Sequence, residues 1–68
     1  MATQLPILAM ERILKAAGAK RVSEDAKAAL RTAVENYASS LAKRAKKFAE
    51  HAGRTTIKKE DISVAQSD

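Results

Sequence analysis

The sequence predicts an all-α protein in which one long central helix lies between two short ones. Its two glycines, Gly18 and Gly53, divide the chain into three segments, and a glycine just past the end of a helix is a common stop signal. Apolar residues recur every three or four positions throughout the middle segment, which is the spacing of one helix face. We therefore expect the order short helix, loop, long helix, loop, short helix.

The first helix is expected to open at Leu5 and Pro6 and to stop at Gly18. Proline is favoured at the first helical position, because its missing N–H would have no partner there in any case. Arg12 and Lys15 fall outside the apolar positions and remain free for solvent or a partner. Those apolar positions are Leu5, Leu8, Ile13, Leu14 and Ala17.

The second helix is expected to begin after Ser23, a favourable N-cap, and to continue without interruption to Gly53. Glu24 and Asp25 place negative charge on its first turn, where the helix dipole favours it. About 29 helical residues give a length of roughly 43 Å, whereas a compact chain of this size has a radius of gyration of only ~11 Å. The helix is therefore too long for its own domain to cover.

The apolar face of this long helix predicts a partner chain, most simply an identical one in a two-fold dimer. The residues assigned to the dimer core are Leu30, Val34, Tyr37, Leu41 and Phe48. A partly frayed, alanine-rich helix is the alternative interpretation.

A short third helix is expected over residues 58–65, after an extended segment that begins at Arg54. Lys58 is a poor N-cap, but Glu60 and Asp61 in the first turn face the positive end of the helix dipole. We expect apolar contacts from Ile57, Ile62, Val64 and Ala65. The last three residues are expected to lie beyond the helix.

Length and cysteine content limit how the protein is stabilised. We expect a single domain over residues 1–68 with a frayed start at 1–4, and chains of this size bury only ~60% of their unfolded surface when they fold alone. No cysteine is present, so neither a disulfide nor a thiolate metal site adds stability, and a reducing intracellular setting is expected. Oligomerisation is the remaining means of stabilisation.

The charge balance favours a polyanionic partner. Thirteen Lys and Arg residues against eight Asp and Glu give a net charge of +5, and both nucleic acid and an anionic membrane would attract such a protein. No apolar run approaches the ~20 residues of a membrane span, and the first 15 residues lack the features of a signal peptide. A soluble, cytoplasmic protein is the preferred interpretation.

Three separated motifs resemble the archaeal histones: LPI at 5–7, RILKAAGAKRVSEDA at 12–26 and HAGRTTIKKEDI at 51–62. The resemblance extends from Leu5 to about Ala65. It implies the histone fold and a handshake dimer, in which two long helices cross. The first loop of one protomer then lies beside the second loop of the other.

The resemblance further implies double-stranded DNA as the partner and assigns residues to its surface. The implied DNA-binding residues are Arg12, Lys20, Arg21, Ser23, Arg54, Thr55, Thr56 and Lys58. Among them, Arg21 matches a family arginine expected at the minor groove, and Thr56 matches a threonine that contacts phosphate. Duplex DNA carries one negative charge per ~1.7 Å of axis, so separated basic edges can hold a bent duplex without reading its bases.

Two further roles follow from the resemblance. Arg54 and Asp61 match a pair that fixes the second loop against the third helix, so Arg54 is as much a structural residue as a DNA contact. His51, with Phe48 and Asp61, matches an interface where dimers stack end to end, and a plain surface histidine is the alternative. No metal site or cofactor is expected, because His51 has neither a cysteine nor a second histidine beside it.

Other lysines are interpreted as members of an ordinary solvated face: Lys15, Lys27, Lys43, Lys46, Lys47 and Lys59. The chain also departs from the family pattern. Thr55 stands where many members have a lysine, and the third helix lacks their basic C-terminal residues. We expect a secure homodimer, with tetramers or larger assemblies weak or dependent on DNA, and paralogous histones as further partners.

The favoured function is that of a chromosome-associated, sequence-tolerant protein that wraps and compacts DNA into nucleosome-like particles. A histone-fold subunit of a transcription complex, paired with a different chain, is the main alternative. A basic amphipathic peptide on anionic membranes would form helix only with lipid. A helix-turn-helix operator reader is disfavoured by the length of the second helix. Since nothing pairs a nucleophile with a base, an enzyme is the least favoured class.

Overall fold

The computed structural model describes residues 5–67, and these residues form three α-helices without a strand. Helix α1 spans Ile7–Ala16, α2 spans Glu24–His51 and α3 spans Lys59–Ser67. The predicted order of short, long and short helix is confirmed. The expectation of a frayed start at residues 1–4 lies outside the described residues.

Helix α1 begins one residue later than predicted. Pro6 was expected at the first helical position, but it is the N-cap, with φ −61° and an extended ψ of 131°. The fixed φ of proline fits both positions, so only ψ distinguishes them. Pro6 has no side chain that can cap the helix. Instead the backbone N–H of Leu5 donates to Oε2 of Glu35 in α2 at 3.0 Å.

Helices α1 and α2 end at their glycines in the same way. Gly53 has φ 73° and Gly18 has φ 110°, values that L-residues with a Cβ rarely adopt. The N–H of Arg54 donates to the carbonyl of Ala49 at 2.9 Å, and the N–H of Gly53 donates to that of Glu50 at 2.9 Å. The same pair of backbone bonds closes α1 at Gly18. This is the Schellman motif, which satisfies carbonyls that the helix end would leave unpaired.

Helix α2 begins at the predicted cap. Oγ of Ser23 accepts a hydrogen bond from the N–H of Ala26 at 3.1 Å, which satisfies one of the unpaired donors of the first turn. The helix then continues for 28 residues to His51, close to the expected length.

Helix α3 begins at the expected N-cap but ends later than predicted. Lys58 occupies the N-cap position, and its N–H donates to Oδ2 of Asp61 at 2.8 Å. This is the reciprocal half of a capping box, with aspartate as the acceptor three residues into the helix. A side-chain hydrogen bond therefore supplements the dipole at this weak N-cap. At the other end, Oγ of Ser67 donates to the carbonyl of Ser63 at 3.1 Å, and the helix continues past Ala65, where it was predicted to stop.

The chain divides into two compact units, unit 1 up to Asn36 and unit 2 from Tyr37 onward. Buried apolar residues are few within residues 5–67: Met10 in unit 1, and Ala45, Ala49 and Ala65 in unit 2. None of the large side chains described there is fully buried. Most side chains that could build a large core therefore remain in contact with solvent in the single chain.

Several residues predicted to make apolar contacts are exposed. In unit 2, Ile57 is 42% and Val64 49% exposed, whereas Ala65 is buried. In unit 1, Leu8 is 55% and Ile13 51% exposed. Helical spacing identifies an apolar face but not the surface that covers it.

None of the three helices, as far as residues 5–67 describe them, combines the length and hydropathy that a membrane span needs.

Candidate nucleic-acid interface

The first loop presents two cations between fixed ends. Lys20 and Arg21 are exposed, and neither forms an ion pair within the described part of the chain. The Schellman motif at Gly18 fixes the start of the loop, and the Ser23 cap fixes its end. The two side chains therefore project from a short segment that is held at both ends.

Arg12 lies exposed on α1, next to an ion-pair network. In this network Glu11 binds Lys15 at 3.1 Å and Lys27 at 3.2 Å, and Lys27 also binds Glu24 at 2.8 Å. Hydrogen bonds from Lys15 and Lys27 lower the pKa of Glu11, and hydrogen bonds to Glu24 and Glu11 raise the pKa of Lys27. The central pair of the network, Glu11 and Lys27, is therefore charged at neutral pH.

The interpretation of Lys27 as an ordinary solvated lysine was wrong. Only 12% of its side chain is exposed, against 52% for Lys15. The difference arises because Lys27 reaches a carboxylate on another helix in addition to one on its own.

The second loop is held by a buried carboxylate. Nη1 and Nη2 of Arg54 donate to the two oxygens of Asp61 at 2.8 and 3.0 Å, and Nη1 also donates to the carbonyl of Thr56 at 3.0 Å. Asp61 is only 4% exposed. The bonds from Arg54 and from the N–H of Lys58 lower the pKa of Asp61 from 3.8 to about 2, and the bond to Asp61 raises the pKa of Arg54.

This arrangement gives Arg54 a structural position and leaves other groups at the surface. Nη1 and Nη2 of its guanidinium donate to Asp61 and to the loop backbone. The side chain of Arg54 is 30% exposed. Thr55, Thr56 and Lys58 are all exposed. The second loop therefore presents two hydroxyls and one ammonium group to solvent. The guanidinium of Arg54 is less accessible, because it is already hydrogen-bonded to Asp61.

The predicted DNA-binding residues form two groups in the single chain. Unit 1 contains Arg12, Lys20, Arg21 and Ser23, and unit 2 contains Arg54, Thr55, Thr56 and Lys58. The hydroxyl of Ser23 already accepts a hydrogen bond as the helix cap, so a phosphate contact there would fall to backbone N–H groups.

His51 lies exposed at the end of α2. Together with Lys47 and Glu50 it lines an open depression of about 200 Å³. Phe48 is half-buried. Within residues 5–67, the structure contains no cluster of three or more side chains suited to hold a metal ion.

Sequence reasoning missed three contacts that organise these units: the Lys27 network, the Asp61 cap and the bond from Leu5 to Glu35. Spacing alone could have suggested Glu11 with Lys15, four apart, and Glu24 with Lys27, three apart. The ion pair between Glu11 and Lys27 joins different helices, so no local sequence pattern predicts it.

Comparisons with known proteins agree with this fold. The family model described as histone-like transcription factor (CBF/NF-Y) and archaeal histone matches residues 3–65. One subunit of the archaeal histone HAN1 of Thermococcus zilligii is 50% identical over 62 residues, which cover 91% of this chain and 92% of the relative. The probable archaeal histone 3 of Methanocaldococcus jannaschii is 44% identical over the same shares. On this evidence the chain belongs to the family of histone-like transcription factors and archaeal histones.

Proposed function

We propose that this protein forms a homodimer that binds duplex DNA with little sequence preference and bends it into compact, nucleosome-like particles on the chromosome. Membership of the family makes the chain a histone-fold DNA-binding protein and not an enzyme. The oligomeric state, the compaction and the residue roles are the proposed part. The protein would act at the nucleoid within the cytoplasm.

The observation that carries the proposal is the exposure of Lys20 and Arg21 on a loop whose two ends are fixed. Cations on an ordered loop bind phosphate at a smaller entropic cost than cations on a flexible one. Exposed Thr55, Thr56 and Lys58 add hydrogen-bond donors suited to phosphate oxygens. Such contacts position a protein on the duplex but carry no sequence information, which supports a sequence-tolerant function.

The dimer is supported by the exposed apolar surface of α2. Tyr37 is 56% exposed, and the other proposed core residues are only half-buried: Leu30, Val34, Leu41 and Phe48. Complete burial of each such side chain stabilises a protein by roughly 1.5–3 kcal/mol. A second copy that covers this face would supply the large buried side chains that the single chain lacks. In a handshake arrangement, the first loop of one protomer would lie beside the second loop of the other.

A salt titration tests DNA binding. The protein is titrated onto two unrelated duplexes between ~50 and ~300 mM salt and followed by fluorescence anisotropy. We expect similar affinities and a log–log slope of roughly −5 to −9, which corresponds to about 6–10 neutralised phosphates. A strong preference for one duplex would identify an operator reader instead.

A matched pair of variants tests the first loop. Lys20→Gln and Lys43→Gln remove the same charge, but Lys43 is an exposed lysine of α2 outside the proposed interface. With two protomers per dimer, Lys20→Gln should make the slope less steep by about 2. Equal slopes for the two variants would remove Lys20 from the interface.

The second candidate is a component of a transcription complex that pairs with a different chain. The family description includes histone-like transcription factors, which favours this alternative. Sedimentation equilibrium of the pure protein distinguishes the two candidates. A dimer mass supports the homodimer, whereas a monomer mass supports an obligate partner of another sequence.

We further propose that contacts between dimers through Phe48, His51 and Asp61 are weak without DNA. The carboxylate of Asp61 already accepts three hydrogen bonds, and 5% of its side chain is exposed. This carboxylate therefore has little hydrogen-bonding capacity left for His51 of another dimer. A stable tetramer in the absence of DNA would contradict this.

A further inference from the structure

Lys27 joins α1, which carries Arg12, to the start of α2, where the first loop ends. Its ammonium binds Glu11 of α1 at 3.2 Å and Glu24 in the first turn of α2 at 2.8 Å. Glu11 adjoins Arg12 in the sequence, and Glu24 follows Ser23, where the first loop ends. One side chain thus connects the helix that bears Arg12 to the end of the loop that bears the other cations.

Lys27 is poorly suited to contact DNA itself. Only 12% of its side chain is exposed, and a phosphate contact would require it to give up its carboxylate partners. The network consists of two lysines and two glutamates, Lys15, Lys27, Glu11 and Glu24. It therefore adds no net charge to this surface, and its effect on a polyanion must come through geometry.

We infer that Lys27 is a positioning residue for DNA binding, which holds α1 against the start of α2 so that Arg12 and the cations of the first loop keep one fixed spacing. The inference rests on the proposed function, because it concerns the same DNA-binding surface. Groups held in place before binding lose less conformational entropy on the duplex. Loss of the network should therefore weaken binding without removing a phosphate contact.

The first test compares Lys27→Met with Lys43→Met, which removes the same charge from an exposed site on the same helix. We expect Lys27→Met to weaken DNA binding on the order of fivefold relative to Lys43→Met, with an unchanged salt slope. Equal affinities would overturn the inference. A slope less steep by about 2 in Lys27→Met alone would also overturn it, because that result identifies a direct phosphate contact in each protomer.

A conservative variant tests whether binding recovers when a cation again bridges the two carboxylates. Lys27→Arg keeps the positive charge and offers several N–H donors to the two carboxylates. We expect it to restore most of the wild-type affinity. Failure of Lys27→Arg to bind better than Lys27→Met would contradict a role that depends on bridging Glu11 and Glu24.

Substitution of a glutamate in the network provides a further test. For this variant, electrostatics and positioning predict opposite changes in DNA affinity. Glu11→Gln and Asp25→Asn each remove one negative charge from unit 1, but Asp25 is exposed and lies outside the network. Electrostatics alone predicts tighter DNA binding for both variants. Positioning predicts that Asp25→Asn tightens binding while Glu11→Gln weakens it. Equal tightening would overturn the inference.

Wild-type binding separates this inference from the function on which it rests. If the wild type binds neither duplex at the lowest salt, the proposed function fails and the positioning role fails with it. If the wild type binds and every variant matches its control, only the positioning role fails. Circular dichroism melts of all variants confirm that folded proteins are compared, and the Glu11 pair serves if Lys27→Met does not fold.

Discussion

At the residue scale, the single carboxylate of Asp61 stabilises both the second loop and the start of α3. Its carboxylate accepts two hydrogen bonds from Arg54 and one from the N–H of Lys58. It therefore fixes the second loop and caps α3 at the same time. Bidentate, charge-assisted bonds of this kind are among the stronger ones in proteins.

The depressed pKa of Asp61 predicts acid-sensitive stability. Its folded-state pKa is about 2, against an ordinary value of 3.8. Because the folded pKa is the lower one, the contribution is complete above the unfolded pKa and is lost as pH falls from about 4 toward 2. Thermal melts across this range, at fixed protein concentration, should show a fall in stability that is smaller in Asp61→Asn.

Glu60→Gln is the control, since Glu60 is exposed in the same first turn. At pH 7 we expect Asp61→Asn to lower the melting temperature by several degrees and Glu60→Gln to change it little. An Asp61→Asn protein as stable as the wild type at pH 7 would mean that the pair with Arg54 contributes nothing to the fold.

At the element scale, α1 and α2 end where a glycine adopts a positive φ. A Cβ on Gly53 would meet no atom within 4 Å, so any cost of a substitution there comes from the backbone. With φ at 73°, Gly53→Ala should destabilise the protein by about 1–2 kcal/mol per protomer. Chemical denaturation at fixed concentration measures this free energy.

Asparagine provides the matched comparison at the same site. It tolerates the left-handed conformation better than alanine, so Gly53→Asn should destabilise the protein less than Gly53→Ala. The reverse order would show that conformational strain does not determine the effect.

The N-terminus of α2 gives a second prediction at this scale. Ser23→Ala removes the hydroxyl that accepts from the N–H of Ala26, and we expect a loss of about 1 kcal/mol per protomer in the free energy of unfolding. Ser39→Ala, an exposed serine within α2, should have an effect within about 0.5 kcal/mol. Equal effects at the two sites would argue against the cap.

At the scale of the whole molecule, stability should depend on association. The buried apolar residues described in the chain are three alanines and one methionine, whereas larger side chains along α2 keep solvent contact. If a second copy covers them, the melting temperature rises with protein concentration, because only the dimer is the stable folded state.

Tyr37→Glu tests this association directly. A charged carboxylate at the centre of the proposed dimer core would be buried without a partner, which is costly. We expect sedimentation equilibrium to return a monomer mass and circular dichroism to show loss of helix. Lys43→Glu introduces the same side chain at an exposed site of α2 and should remain dimeric. A dimeric Tyr37→Glu protein would rule out a dimer core at this position.

The sequence by itself determined the fold class and the ends of the helices closely. Gly18, Gly53 and Ser23 are local signals, because a helix cap depends on residues within about one turn. The three motifs also identified the family. The predicted start of α1 was wrong by one residue, since proline fits either position. The predicted end of α3 was wrong by two residues, since Gln66 and Ser67 carry no strong stop signal.

Only the tertiary structure decided which charged side chains are held in ion pairs or hydrogen bonds within the protein. Sequence could not distinguish Lys27, held by two carboxylates, from Lys43, which is exposed. Nor could it show that Asp61 caps Lys58 or that Glu35 binds the backbone ahead of α1. Composition reports how many ionisable groups a chain has, whereas their partners depend on distances of a few ångströms that arise only when helices pack.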